Sequence, residues 1–176
     1  MTCRFVEIGR AHVDYAFARS DDETVASAAP EHWRRLAAGK RFARDAMLEL
    51  AAGGLLALML RELGRRFDPQ ALRVAGNGKP FLPGGPHFNL SHSGKFAMCA
   101  VSTSPVGCDI EEIVPLEDEV LRQIGSIGEW TLAEARYKCG AGAAEAVRVE
   151  APAGYAASIA ADAAADPAME RGGVMV

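Results

Sequence analysis

The segment from Lys40 to Leu63 does most to limit what this chain can fold into. Leu48, Leu55, Met59 and Leu63 fall roughly on one face, which predicts one long helix with Gly64 as its C-terminal cap. Gly53-Gly54 in its middle costs helix stability, or lets another backbone approach closely. The apolar run inside it, Leu50 to Leu60, is far too short to span a bilayer. Short strand-like runs flank the helix: Arg4–Ile8 and Val13–Ala18 before it, Leu72–Ala75 after it, with Gly76-Asn77-Gly78 as a turn. Phe88–Leu90, Phe96–Ser102 and Val106–Ile110 follow as strands separated by Ser93-Gly94 and Ser104-Pro105. A helix over Glu117–Lys138, interrupted near Gly125–Gly128, and a last strand at Tyr155–Ala160 complete the reading. Strands mixed with long helices predict an α+β fold.

Composition narrows the function classes. Of 176 residues, 49% are apolar and 24% charged, enough for a packed soluble core. The formal charge of -4 argues against a protein held to nucleic acid by bulk charge. No basic, apolar leader opens the chain, so Cys3, Cys99, Cys108 and Cys139 read as reduced thiols and the expected location is cytoplasmic, with no membrane partner. From Ala141 to Val176, 14 of 36 residues are alanine, so this part has little to bury and is expected to fray beyond Asp162.

Three clusters carry possible chemistry. In Gly107-Cys108-Asp109-Ile110-Glu111-Glu112, Asp109 and Glu111 are two apart on a strand and project to one side. Paired hard carboxylates suit Mg²⁺, and the alternative is a solvated strand end. Along the second helix, Trp130, Glu134 and Lys138 are spaced at i, i+4 and i+8, a catalytic face or an ordinary surface pair. Phe88-Asn89-Leu90-Ser91-His92-Ser93-Gly94 reads as a polar turn at a strand end, able to cradle a phosphate or simply solvated. A zinc site from His87, His92, Cys99 and Cys108 matches no familiar ligand spacing.

The order of these motifs is informative where each alone is weak. Gly78-Lys79-Pro80, then Phe88 to Gly94, then Gly107 to Glu111, then Trp130-x-x-x-Glu134-x-x-x-Lys138 resemble the signature of Sfp-type 4'-phosphopantetheinyl transferases. The resemblance runs from about Arg41 to Gly142. It implies an α+β fold of two similar subdomains in a pseudo-dimer arrangement, the second one reduced here. The corresponding division is 1–111, 112–162 and a flexible tail at 163–176. It further implies an enzyme that moves the phosphopantetheine arm of coenzyme A onto a serine of an acyl or peptidyl carrier protein, releasing adenosine 3',5'-bisphosphate.

Carried over residue by residue, the resemblance implies that Asp109, Glu111 and Glu134 hold Mg²⁺. Lys79 and Pro80 would lie near the adenine, Ser91 and His92 would contact phosphates, and Lys138 would face the pyrophosphate. Glu134 and Lys138 would be the catalytic pair, and Asp109 an exposed cleft carboxylate. Coenzyme A and the carrier protein are the expected partners, the protein acting as a monomer. Ala133 departs from the pattern, standing where the family usually has lysine. The segment between Glu111 and Trp130 is also short and lacks the usual Phe-containing stretch. A relative that binds coenzyme A or a carrier protein without turnover is therefore the alternative function.

Overall fold

The computed structural model describes residues 2–164. Its first strands, β1 (Arg4–Ile8) and β2 (Ala11–Arg19), form an antiparallel hairpin. Two short helices follow, α1 (Glu23–Ser27), capped by the Asp22 carboxylate, and α2 (Glu31–Ala38). The long helix α3 spans Ala43–Glu62, close to the expected Lys40–Leu63. Two short strands, β3 (Arg73–Val74) and β4 (Pro80–Phe81), pair across the turn at Gly76–Gly78. Next come β5 (His87–Ser93), β6 (Phe96–Ser102) and β7 (Val106–Glu112). Helices α4 (Asp118–Ile124) and α5 (Ile127–Cys139) lead to β8 (Ala144–Val149) and β9 (Tyr155–Asp162). The fold is α+β, as expected.

The strands make two main antiparallel sheets, one in the order β1-β2-β6-β5 and one in the order β7-β9-β8. The change of sheet falls at 103–105, ahead of β7, so β7 pairs with the C-terminal half. Helix α3 covers the first sheet with Leu55, Leu56, Met59 and Leu60, all buried against Phe88, Val101 and Trp33. Its glycines explain themselves here. A Cβ on Gly54 would stand 1.8 Å from the Val25 carbonyl oxygen, and one on Gly53 would run into the Trp33 ring. The pair admits α1 and α2 at backbone distance, which offsets the helix propensity it forfeits.

The second sheet corrects the expectation for the alanine-rich segment. Ala157, Ile159, Ala160 and Ala161 of β9 are buried, and β8 pairs with β9 along its length. Alanine favours helices in isolation, but strand pairing and a covered face override that preference. Positions 165–176 lie outside the described residues. A shared core of Val13, Tyr15, Met98, Cys108, Ile110 and Ile159 joins the two sheets.

Candidate active site

Of the turn expected at Ser91–Gly94, Ser91–Ser93 are strand and only Gly94 turns. β5 runs to Ser93 and reverses at Gly94-Lys95, because the hairpin with β6 keeps register through Ser93 opposite Phe96. Side chains therefore alternate: Asn89, Ser91 and Ser93 face one way, and Leu90 and His92 the other. Asn89 and Ser91 are buried, whereas His92 is exposed. Ser91 and His92, paired in the sequence reading, therefore sit on opposite faces of β5.

The inward side chains of β5 meet the open edge of β7. Asn89 Oδ1 accepts the Cys108 amide at 2.8 Å, Ser91 Oγ the Ile110 amide at 3.4 Å, and Ser93 Oγ the Glu112 amide at 3.2 Å. Asp109 lies between the first two. It is 1% exposed, so the exposed cleft carboxylate of the sequence reading is in fact buried. Ser91 Oγ donates to Asp109 Oδ1 at 2.8 Å, and the Lys138 ammonium reaches the same oxygen at 2.5 Å. The other oxygen, Asp109 Oδ2, is buried without a hydrogen-bond partner. A buried carboxylate oxygen in that state is costly unless a donor or cation satisfies it.

Lys138 comes from α5, whose seat is set by small residues. Ser126 caps its N-terminus by accepting the Glu129 amide at 3.1 Å. Beneath the helix, Thr131 Oγ1 and Ser158 Oγ are 2.8 Å apart, both fully buried. A Cβ at Gly107 would stand 2.1 Å from the Ala135 carbonyl oxygen, so only glycine on β7 admits the helix at this distance. Glu134, half-buried, lies one turn before Lys138, and Ala133 beside it is exposed. Burial raises the Glu111 pKa, helped by the charges of Asp109 and Glu134 and opposed by a Ser93 hydrogen bond and Lys138. Glu111 thus feels the charges of both other carboxylates. Among the described residues, however, no three His, Cys, Asp or Glu side chains are gathered closely enough to ligate a metal, so the expected trio does not stand as a closed ligand set. The unpartnered Asp109 oxygen and the hard carboxylate donors nonetheless fit Mg²⁺ in chemistry.

Lys79 and Pro80 line a cavity of about 420 Å³ with Asn77, Leu90, Tyr137 and Lys138. The Lys79 ammonium donates to the Lys138 carbonyl at 2.8 Å and to the Val106 carbonyl at 3.2 Å. It therefore straps the end of α5 to the start of β7, and its burial lowers its pKa. The structure brings Ser91, Asp109 and Lys138 into one cluster and puts Lys79 and Pro80 at the cavity beside it. The sequence reading missed Asn89 and Ser93 as structural partners; the N-x-S-x-S alternation was the available signal. All four cysteines are free, and burial pushes the Cys108 thiol up to about 12, which makes it inert.

Known proteins resemble this chain over part of its length. It is 39% identical over 74 residues, 40% of the chain and 33% of the relative, to a 4'-phosphopantetheinyl transferase of Bacillus subtilis. It is 37% identical over 93 residues, 51% of the chain and 40% of the relative, to the 4'-phosphopantetheinyl transferase psf-1 of Bacillus pumilus. Over these stretches the chain resembles Sfp-type 4'-phosphopantetheinyl transferases. The 4'-phosphopantetheinyl transferase HetI of Nostoc sp. is 36% identical over 90 residues, 51% of the chain and 35% of HetI. The matched stretches thus span 33 to 40% of these three relatives' own lengths. No family model matches the chain. No helix among the described residues is long and apolar enough to cross a membrane.

Proposed function

We propose that this chain transfers the 4'-phosphopantetheine group of coenzyme A to a serine of an acyl or peptidyl carrier protein in a Mg²⁺-dependent reaction. The observation that carries the reading is Asp109: a buried carboxylate with one oxygen held by Ser91 and Lys138 and the other without a partner. Similarity to 4'-phosphopantetheinyl transferases over part of the chain supports the reaction class. The two-layer halves, α3 over β2-β6-β5 and α5 over β7-β9-β8, support a pseudo-dimer arrangement.

In this reading the serine oxygen forms a bond to the phosphorus that bears pantetheine. The bond from that phosphorus to the bridging oxygen breaks, and adenosine 3',5'-bisphosphate departs. Glu134 takes the serine proton, directly or through water. Lys138 faces the pyrophosphate and stabilises the departing oxygen. Lys79 and Pro80 bound the cavity that receives the adenine end, and His92 contributes a donor to a phosphate. Asp109, Glu111 and Glu134 are the residues that would hold Mg²⁺, whose charge offsets the repulsion between pyrophosphate and incoming oxygen. The protein would act as a cytoplasmic monomer.

One observation favours a second reading, a binding protein without turnover: Ala133 leaves exposed helix surface where the superfamily usually places a lysine. Mass spectrometry of a panel of apo carrier proteins incubated with coenzyme A and Mg²⁺ tests both. A Mg²⁺-dependent mass gain on the carrier is the expected result. Affinity for coenzyme A or carrier without that gain would establish the second reading.

A further inference from the structure

The two sheets are joined by side chains where a backbone ladder would be expected. β5 and β7 each form the edge of a sheet, and an uncovered edge leaves every second amide without a partner. Along β7 the amides of Cys108, Ile110 and Glu112 turn away from β9, and each finds a side chain of β5 nineteen residues earlier: Asn89, Ser91 and Ser93. Both strands advance two residues per strap, so one polar face of β5 satisfies one edge of β7 with constant register. Cys108 Sγ adds a fourth contact by donating to the Asn89 carbonyl oxygen at 3.3 Å.

Ser91 is the middle strap, and its hydroxyl is fully committed. A serine hydroxyl has one proton to give and two lone pairs to accept with. The proton goes to Asp109 Oδ1 at 2.8 Å, and the lone pairs face the Ile110 amide at 3.4 Å and the Lys138 ammonium at 3.3 Å. Nothing remains for an incoming anion, and the side chain is buried. The hydroxyl occupies the side of Asp109 where Lys138 also stands, which leaves Oδ2 as the buried oxygen without a hydrogen-bond partner.

We propose that Ser91 is a positioning residue rather than an anion contact: it pins β7 at Ile110 and orients the Asp109 carboxylate so that Oδ2 is the oxygen presented to a divalent cation. The strap itself is independent of function, whereas its consequence for the cation rests on the reading of Asp109 given above.

The test compares wild type, Ser91→Ala and Ser91→Thr, the last of which keeps a hydroxyl on a β-branched side chain suited to a strand. Amide hydrogen exchange by NMR reads the strap. Ile110 should exchange slowly in wild type and in Ser91→Thr, and faster in Ser91→Ala, while the Asp109 and Glu111 amides, facing β9, stay protected in all three. Calorimetric titration with Mg²⁺ alone reads the carboxylate. Ser91→Ala should weaken binding about tenfold, the lower end of the effect of removing a hydrogen-bond partner behind a ligand, and Ser91→Thr should restore most of it. Coenzyme A titrated without metal should bind all three alike.

Unprotected Ile110 in wild type would overturn the strap even if Ser91→Ala failed to fold. Weaker coenzyme A binding with unchanged Mg²⁺ binding would make Ser91 an anion contact and overturn the proposal, and a wild type that takes up no Mg²⁺ would overturn its functional half. Absence of carrier modification by wild type, with the Mg²⁺ titration still shifted in Ser91→Ala, would sink the transferase reading and leave Ser91 in its role.

Discussion

The two halves place a helix on a sheet by opposite means. In the first, α3 buries Leu48, Leu55, Leu56, Met59 and Leu60, and large aliphatic side chains dominate its contact with the sheet, beside a small patch of Ala51 and Ala52 against Ala97. In the second, α5 buries only Thr131, Ala135 and Cys139, and it rests against Gly107 and Ala160. Large side chains bury more apolar area and so carry more stability. Small ones bring backbones together, which shortens the reach from α5 to β7. Lys138 meets Asp109 across that short gap. The first half is thus built for stability, and the second holds charged groups at close range.

The largest expected effect tests the energetic side of this contrast. Leu56→Ala in α3 should cost about 2–5 kcal/mol, because the side chain is fully buried and its loss leaves a cavity. Cys139→Ala in α5 should cost only about 1 kcal/mol, near the centre of the range for single substitutions. Urea denaturation of both variants decides the point, and equal losses would erase the distinction.

Asp109→Asn should act in the opposite sense, on function rather than on fold. The amide oxygen can keep the Ser91 bond, and the Lys138 side chain, 27% exposed, can turn its charge to water. Transfer to a carrier protein should fall by at least about a hundredfold, comparable with the loss of one electrostatic stabiliser. The midpoint of denaturation should move little. Full activity with an unchanged Mg²⁺ requirement would remove Asp109 from the site.

A smaller effect is expected at the exposed neighbour of Glu134. Ala133→Lys should tighten coenzyme A binding about fivefold at low salt, the net of charge attraction and side-chain ordering near a phosphate. The gain should shrink as ionic strength rises. Calorimetry at two salt concentrations measures both, and equal affinities at low salt would show that position 133 faces away from the cofactor.

The smallest effect lies on the outer hairpin of the first half. His12 Nδ1 is 2.6 Å from Glu7 Oε1 and Nε2 is 3.4 Å from Asp14 Oδ1. The hydrogen bond to Glu7 raises the His12 pKa above 6.5, with Asp14 adding to it and burial opposing it. A raised value in the folded state means that the stabilisation is complete below the ordinary histidine value of about 6.5 and fades as pH climbs through the folded value. His12→Asn should therefore be less stable than wild type by roughly 0.5 kcal/mol at about pH 6, and equal to it by about pH 9. A constant difference across that range would mean that the ion pairs contribute nothing.

Much of this protein was legible before its structure. Periodicity located α3, β1, β6, β7 and the break between α4 and α5, because an apolar face repeats at a period that a chain of this composition expresses locally. The motif order from Gly78 to Lys138 led to the 4'-phosphopantetheinyl transferases that the chain resembles over part of its length. Other elements were hidden. β8 and the outer part of β9 lie in an alanine-rich stretch whose local preference is helical, and only pairing within the second sheet makes strands of it. The polar run at Ser91–Ser93 reads locally as a turn, since serine and histidine are at home in turns. It is strand because β6 pairs with one side of it and β7 offers open amides to its side chains.

The residues around Asp109 show the same division. Sequence alone determined that a carboxylate pair, a serine and a lysine are present, and in what order. It was silent on burial, and Asp109 read as an exposed group. Only the tertiary structure decided that Gly107 lets α5 close on β7, that Ser91 and Lys138 converge on Oδ1, and that Oδ2 is left alone. The physical reason is range. Backbone preference and periodicity act over a few residues, whereas a buried charge is placed by groups 18 and 29 positions away, brought together only when two sheets share one core.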